Sequence, residues 1–228
     1  MKAFEKLPKE FQNDAVRPYY ELLSRKNGSR VIKRVFDIFV SVIMLVFLII
    51  PIIVISVMIK CSSKGHVFFL QERVTTYGRR FKIIKFRTMV ENAEALGTQV
   101  TTENDARVFK VGRVLRKYRL DELPQVFNVL SGSMSFVGTR PEVPRYVERY
   151  EDEYYATLLL PAGITSPASI KYKDEEKLLA SAENADEVYI GKVLPEKMKY
   201  NLDYTKNFGF RSDIKLMFKT VTSVFGGD

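Results

Sequence analysis

The chain has one cysteine, Cys61, and one histidine, His66, in 228 residues. A single thiol excludes an internal disulfide and a thiolate metal site. The single imidazole follows a long apolar run with no partner signature around it, which in practice excludes a Ser-His-Asp triad. Acid–base or metal chemistry must then rest on carboxylates, Lys, Tyr or Arg. No internal repeat, low-complexity tract or Asp-x-Asp pair occurs. Acidic residues are outnumbered: 27 Asp and Glu face 36 Lys and Arg, a net charge of +9. That excess suits nucleic acid, an anionic membrane surface or a phosphorylated substrate without choosing among them, and a solubilising surface would give the same number. With 46% hydrophobic and 28% charged residues the composition is that of a folded protein, long enough for one domain or a domain plus an appendage.

The apolar content is concentrated in one stretch. From Ile38 to Ile59 there is no charge, and only Ser41, Ser56 and Pro51 interrupt the run. At about 1.5 Å per residue these residues make roughly 33 Å of helix, enough to cross a bilayer core. The stretch lies too far into the chain for a cleaved signal peptide. A single spanning anchor is the default reading, but two features oppose it. Arg25, Lys26, Arg30, Lys33 and Arg34 precede the run, and Lys60, Lys64, Arg73, Arg79 and Arg80 follow it. A spanning helix carries its basic excess on one side. Pro51 also sits past the middle, where it removes a backbone hydrogen bond. The expectation is a helix broken at Pro51 that enters the membrane and returns to the same face. Cys61 at the boundary reads as an inert thiol.

Around this run the expected organisation is a polar N-terminal extension over 1–32, a membrane hairpin over 33–64 and a catalytic domain over 65–228. HVFFLQERV and RRFKIIKFRTM are β-prone runs joined by TTYG, a hairpin signal with Gly78 at the turn. Residues 91–107 read as a short helix and a surface loop. VFKVGRVLRKYRLDELPQVFNVLSG predicts helices either side of a Leu-Pro step, with Pro124 at a helix start and Gly132 closing it. Residues 142–160 place Val143, Tyr146, Val147, Tyr150 and Tyr154 on one helical face, and 211–225 do the same with Ile214, Met217, Phe218, Val221 and Phe225. Such faces suit a membrane interface or a core equally.

Three clusters could carry chemistry. In RKYRLDELPQ, Asp121 and Glu122 lie within a turn of the expected helix start, with Arg116 and Arg119 upstream. The helix dipole and both guanidinium groups predict an ionised Asp121, able to attack phosphorus or hold a hard divalent cation. Acids there also stabilise helix starts, so spacing alone leaves both roles open. In KFRTM, Lys85 and Arg87 alternate along one strand face. In GTRPEVP, flanking prolines restrict Arg140, which suits bidentate phosphate recognition or a plain surface turn.

Taken in order, KRVFDIFVSVIML, FKIIKFRTM, VGRVLRKYRLDELPQVFNVLSGSMSFVGTRPEVP, PAGITSPASI and SDIKLMFKT resemble the monotopic polyprenyl-phosphate phosphoglycosyl transferases, bacterial enzymes that start glycan assembly. The resemblance runs from Lys33 almost to the end. It implies a mostly helical α+β fold: a re-entrant helix-break-helix, interfacial amphipathic helices and a small catalytic domain on the cytoplasmic face of the inner membrane. It implies a two-step, Mg2+-dependent transfer of a sugar phosphate from a UDP-sugar to polyprenyl (undecaprenyl) phosphate, releasing UMP. Carried onto this chain, Asp121 is the nucleophile and Glu122 assists it, both toward the metal. Lys85 and Arg116 match basic active-site residues, Arg140 and Pro141 a nucleotide-phosphate motif and Asp213 an acidic position near the C-terminus; Arg87 joins them as a candidate binding residue from the KFRTM strand. The implied partners are the donor, the acceptor and membrane lipid, without nucleic acid; a homodimer is compatible with it. Ile50 stands where many members have Ser, GTRP where many have GPRP, and PAGITSPAS where a PGITG-type segment is usual. The rival readings are a non-catalytic membrane scaffold, which would not need the dyad, and a transferase moving sugar alone, for which the Asp-x-Asp motif is missing. The sugar, the glycan and the polyprenol length are not legible.

Overall fold

A computed structural model describes residues 1–91, 93, 105–172 and 184–225. The expected helix and loop over 91–107 fall mostly outside the described residues. Among these residues the fold is mostly helical, with two small two-stranded sheets.

The apolar run forms part of α2 (Asn27–Ser62), preceded by α1 (Arg17–Ser24). Among the described residues α2 is the one helix long and apolar enough to cross a membrane by length and composition. It departs from the expectation at Pro51, which lies inside one helix rather than between two. A proline removes a single ladder hydrogen bond, and residues on both sides of it stay packed on the same domain. Lys33, Asp37 and Ser41 are buried before it, and Ile52, Ile55 and Ile59 after it. Val40, Met44 and Leu48 fill the turns between. This three-to-four spacing draws one stripe down the whole helix. The opposite face stays open: Phe47 is 73% exposed and Ile50 70%.

β1 (Phe68–Val74) and β2 (Arg80–Phe86) form the expected antiparallel hairpin, in register from Phe68 opposite Phe86 to Val74 opposite Arg80. Its turn uses left-handed backbone at Tyr77 as well as Gly78. The chain resumes with α3 (Lys110–Lys117), a 3-10 turn (Leu120–Glu122) and α4 (Gln125–Ser131), which stops at Gly132 with φ +83°. β3 (Met134–Val137) pairs in parallel with β4 (Ala162–Thr165), a pairing not read from the sequence.

The single helix expected over 142–160 is corrected. It divides into α5 (Pro144–Val147) and a 3-10 stretch (Asp152–Leu159). The amides of Arg149 and Tyr150 bond three residues back, to Tyr146 and Val147, so the chain tightens instead of continuing as α-helix. Val143, Tyr146, Val147 and Tyr150 are nevertheless buried, which makes their face core rather than membrane interface. Beyond β4 come α6 (Pro167–Lys171), α7 (Ala185–Val188) running into a π turn (Tyr189–Val193), α8 (Leu194–Lys206) and α9 (Phe210–Phe225). On α9, Phe218 and Val221 are exposed while Leu216 and Met217 pack on the core. The N-terminal segment is less polar in place than in sequence: Phe4, Leu7, Phe11, Val16, Tyr19 and Leu23 are buried in the main core.

Candidate active site

The chain reaches the dyad through a strained residue. Arg119 takes φ +56°, a left-handed conformation that a non-glycine residue holds at a cost of order 1 kcal/mol. This reverses the chain out of α3 into the 3-10 turn that carries Asp121 and Glu122, just ahead of α4. Asn128 of α4 ties the turn to the hairpin: its side-chain amide donates to Lys82 O at 2.9 Å, and its Oδ1 accepts from the Ile84 amide at 2.9 Å. Lys85, at the end of that strand, is thereby set beside the dyad.

Glu122 is the hub. Its Oε1 lies 2.5 Å from Arg140 Nη2, 3.5 Å from Lys85 Nζ and 3.8 Å from Arg119 Nη1. Its Oε2 has one long contact, Arg140 Nη1 at 3.4 Å. Burial alone would raise the Glu122 carboxyl, but Arg140, Lys85 and Arg119 outweigh it and hold the group well below the ordinary carboxylate range. Asp121 is the reverse: the field expected of the helix start and the arginines is outweighed. Burial, with the neighbouring Glu122 charge adding to it, raises the Asp121 carboxyl despite Lys85, Arg119 and Arg116. Arg140 and Arg119 contact Glu122 directly, whereas Asp121 Oδ1 is buried without a hydrogen-bond partner. One turn further on, the wholly buried Gln125 also has both side-chain polar atoms unpartnered.

Arg140 is delivered by a close backbone crossing. A Cβ at Gly138 would lie 2.3 Å from Pro161 O, and one at Gly163 only 2.1 Å from Gly138 N. Only glycines allow β3 and β4 to meet this closely, and the amides of Gly138 and Gly163 bond across at 3.0 and 2.9 Å. The turn that follows presents Arg140, and the carbonyl of Pro141 accepts from Arg73 Nη1 at 3.0 Å.

Of the residues expected in the site, Asp121, Glu122, Lys85 and Arg140 come together, with Arg116 within electrostatic reach of Asp121. Two do not join them. The Arg87 guanidinium turns back to the carbonyls of Ser63 and Lys64, closing the end of α2. Asp213 pairs with Lys33 Nζ at 2.5 Å and accepts from Tyr204 Oη at 3.0 Å, fastening α9 to α2. Sequence reasoning missed Arg73, which shares the inward face of the hairpin with Gln71 and Lys85. It also missed Glu142, which accepts from Tyr189 Oη at 2.6 Å and pairs with Lys197 Nζ at 3.2 Å. The period-2 alternation of QER carried the first signal.

Among the described residues no group of three or more His, Cys, Asp or Glu could hold a metal ion. The available donors are Asp121 Oδ1, which lacks a partner, and Glu122 Oε2, which is weakly engaged. One or two carboxylate oxygens fit a magnesium ion that keeps its waters and takes substrate phosphates, and do not fit an all-protein cage.

A buried carboxylate pair ringed by Lys and Arg suits phosphate groups, and a long helix with an open apolar face could anchor the chain to a membrane. Residues 28–227 match the bacterial sugar transferase family model, and the chain belongs to that family. It is 37% identical over 86% of its length to the UDP-N-acetylgalactosamine-undecaprenyl-phosphate N-acetylgalactosaminephosphotransferase of Aeromonas hydrophila. It is 35% identical over 86% to the UDP-glucose:undecaprenyl-phosphate glucose-1-phosphate transferase of Escherichia coli (strain K12). These matches span 44% and 41% of the two relatives, so the chain covers less than half of either. The exopolysaccharide production protein ExoY of Sinorhizobium fredii is 30% identical, over 84% of both chains.

Proposed function

We propose that this chain transfers a sugar phosphate from a UDP-sugar to polyprenyl phosphate through a covalent intermediate on Asp121. The observation that carries the reading is the division of labour in the dyad. One carboxylate is paired with cations through one oxygen, and the other is left buried with an oxygen that has no hydrogen-bond partner. An ionised Asp121 is poorly solvated in that setting, and so is a strong nucleophile toward phosphorus. Its oxygen attacks the sugar-bearing phosphorus, and the bond from that phosphorus to the bridging oxygen breaks. UMP leaves with the bridging oxygen. An oxygen of polyprenyl phosphate then attacks the same phosphorus, the bond to Asp121 breaks, and the carboxylate is restored as polyprenyl diphosphate sugar forms.

Arg140 and Lys85 are placed to bind the phosphates and to offset charge as it moves toward the leaving group. Glu122 keeps these cations aimed at the site. Asp121 and Glu122 would hold Mg2+, which when bound neutralises phosphate charge. The names of the relatives support a UDP-sugar donor and an undecaprenyl-phosphate acceptor. The path of α2 supports re-entry: both of its halves rest on the same domain, so both ends belong on one side of the bilayer, and the open face of Phe47 and Ile50 is left for lipid. We place the domain on the cytoplasmic face, where nucleotide sugars are made.

The test is UMP release from a panel of UDP-sugars by detergent-solubilised protein with Mg2+ and undecaprenyl phosphate, comparing wild type with Asp121→Asn. The reading requires UMP that depends on Asp121. UDP as the product would instead mean transfer of sugar alone.

A further inference from the structure

The register of the hairpin places Gln71 opposite Ile83 and Lys85 opposite Phe69, so Gln71, Arg73 and Lys85 lie on one face of the two strands. That face is the one turned inward, since residues 69, 71 and 73 are half-buried while 68, 70 and 72 are exposed. Lys85 already meets Glu122. Arg73 is held differently, by neutral acceptors: its Nε and Nη2 donate to Gln71 Oε1 at 3.0 and 2.6 Å, and its Nη1 to Pro141 O. No carboxylate lies within 4.0 Å of it among the described residues, although Arg140, Lys85 and Glu122 are all within electrostatic reach. Glu142, the nearest acid by its electrostatic influence, is committed to Lys197 and Tyr189.

The fork is therefore fixed in direction, and among the described residues no carboxylate pairs with it directly. Like charge from Arg140 acts on Arg73, and like charge from Arg73 and Arg140 acts on Lys85, so an anion among them would relieve the repulsion. A fixed guanidinium with no carboxylate is the arrangement that binds phosphate oxygens with little further ordering.

We propose that Arg73 is a further binding residue of this site, pairing with Arg140 to grip the diphosphate of the nucleotide donor. The proposal rests on the transfer reading for the identity of the donor but not for the existence of the anion site. Gln71 acts as its positioning residue, aiming the fork from the same strand face.

The experiment measures binding of uridine, UMP and UDP to the full chain in detergent with Mg2+, for wild type, Arg73→Gln and Arg73→Lys. Loss of Arg73 should leave uridine affinity unchanged and weaken UDP by about tenfold or more, with UMP between them. Arg73→Lys should recover part of the loss, because an ammonium keeps the charge without the fork. Equal UDP affinity in wild type and Arg73→Gln would overturn the proposal. So would an equal loss for uridine and UDP, which would mark Arg73 as a brace for the Pro141 turn. If Arg73→Gln does not fold, the comparison of Arg73→Lys with wild type across the same three ligands decides the matter. Wild type that binds UDP through Arg73 yet makes no UMP from any UDP-sugar would sink the transfer reading and leave the anion site standing.

Discussion

Two buried charge clusters lie at different edges of this domain, and they are built in opposite ways. Where α2 meets α9, Lys33 and Arg34 face Asp37 and Asp213, two cations against two carboxylates. Each has a defined partner: Lys33 meets Asp213, Arg34 meets the carbonyls ending α4, and Asp37 accepts from the Phe136 amide. At the dyad, Lys85, Arg119 and Arg116 act on Asp121, Arg140 pairs with Glu122, and Asp121 Oδ1 has no hydrogen-bond partner. The first cluster is complete without a ligand and holds a helix in place. The second leaves a buried carboxylate oxygen without a hydrogen-bond partner, which is what the proposed covalent transfer needs. Asp213 and Asp121 are both aspartates whose carboxyls burial raises. What separates them is whether the surrounding charge is already spent.

The largest expected effect breaks the comparison on the active side. Asp121→Asn should lower UMP formation by at least about 10^3-fold, as loss of a covalent nucleophile does. It should raise thermal stability at neutral pH rather than lower it, because it removes a poorly solvated carboxylate. The sign follows from linkage: a carboxyl raised in the fold above its ordinary value of 3.8 favours folding below that value and opposes it as pH rises through the folded value. Calorimetry should find wild type and variant alike in acid and separated at neutral pH.

On the structural side, Asp213→Asn should cost about 3–5 kcal/mol by leaving Lys33 buried and unpaired. Denaturant unfolding measures the loss, and the activity of the molecules that remain folded should change little. Glu122→Gln falls between the two clusters. It should cost about 1.5–3 kcal/mol through the lost charged hydrogen bond to Arg140, and it should also raise the KM for donor as Arg140 and Lys85 lose their orientation. The smallest effect is in the pH profile. The acid limb of kcat should lie above the ordinary carboxylate range, since Asp121 must ionise to attack, whereas Glu122, held low, should not appear in it.

The elements set by local pattern were legible. The alternation of FFLQERV and RFKIIKF gave the hairpin, Gly132 the end of α4, and RKYRLDELPQ the turn that carries the dyad. Features set by tertiary contact were not. The run from Ile38 to Ile59 reads as uniformly apolar, and only packing reveals that Ile52, Ile55 and Ile59 face the domain while their neighbours face outward. Residues 142–160 keep a helical spacing of apolar side chains, yet Pro144 and the tight turns at Arg149 and Tyr150 divide them. Lys85, Arg140 and the dyad were found because short motifs hold them. Arg87 was placed with them by the KFRTM pattern and Asp213 on resemblance, and in the fold both side chains hold α2. Arg73 was passed over because its partners, Gln71 and the Pro141 carbonyl, carry no charge to mark a site.

The central claim is that Asp121 carries the sugar phosphate between donor and acceptor. Its most direct test is the intact mass of detergent-purified protein mixed with the UDP-sugar that supports turnover, Mg2+ present and polyprenyl phosphate withheld. The account predicts a mass increase of one sugar phosphate with a matching release of UMP, absent in Asp121→Asn and discharged when polyprenyl phosphate is added. Turnover on adding polyprenyl phosphate without any prior mass increase or UMP release would contradict it, and would mean that the lipid phosphate attacks the donor directly.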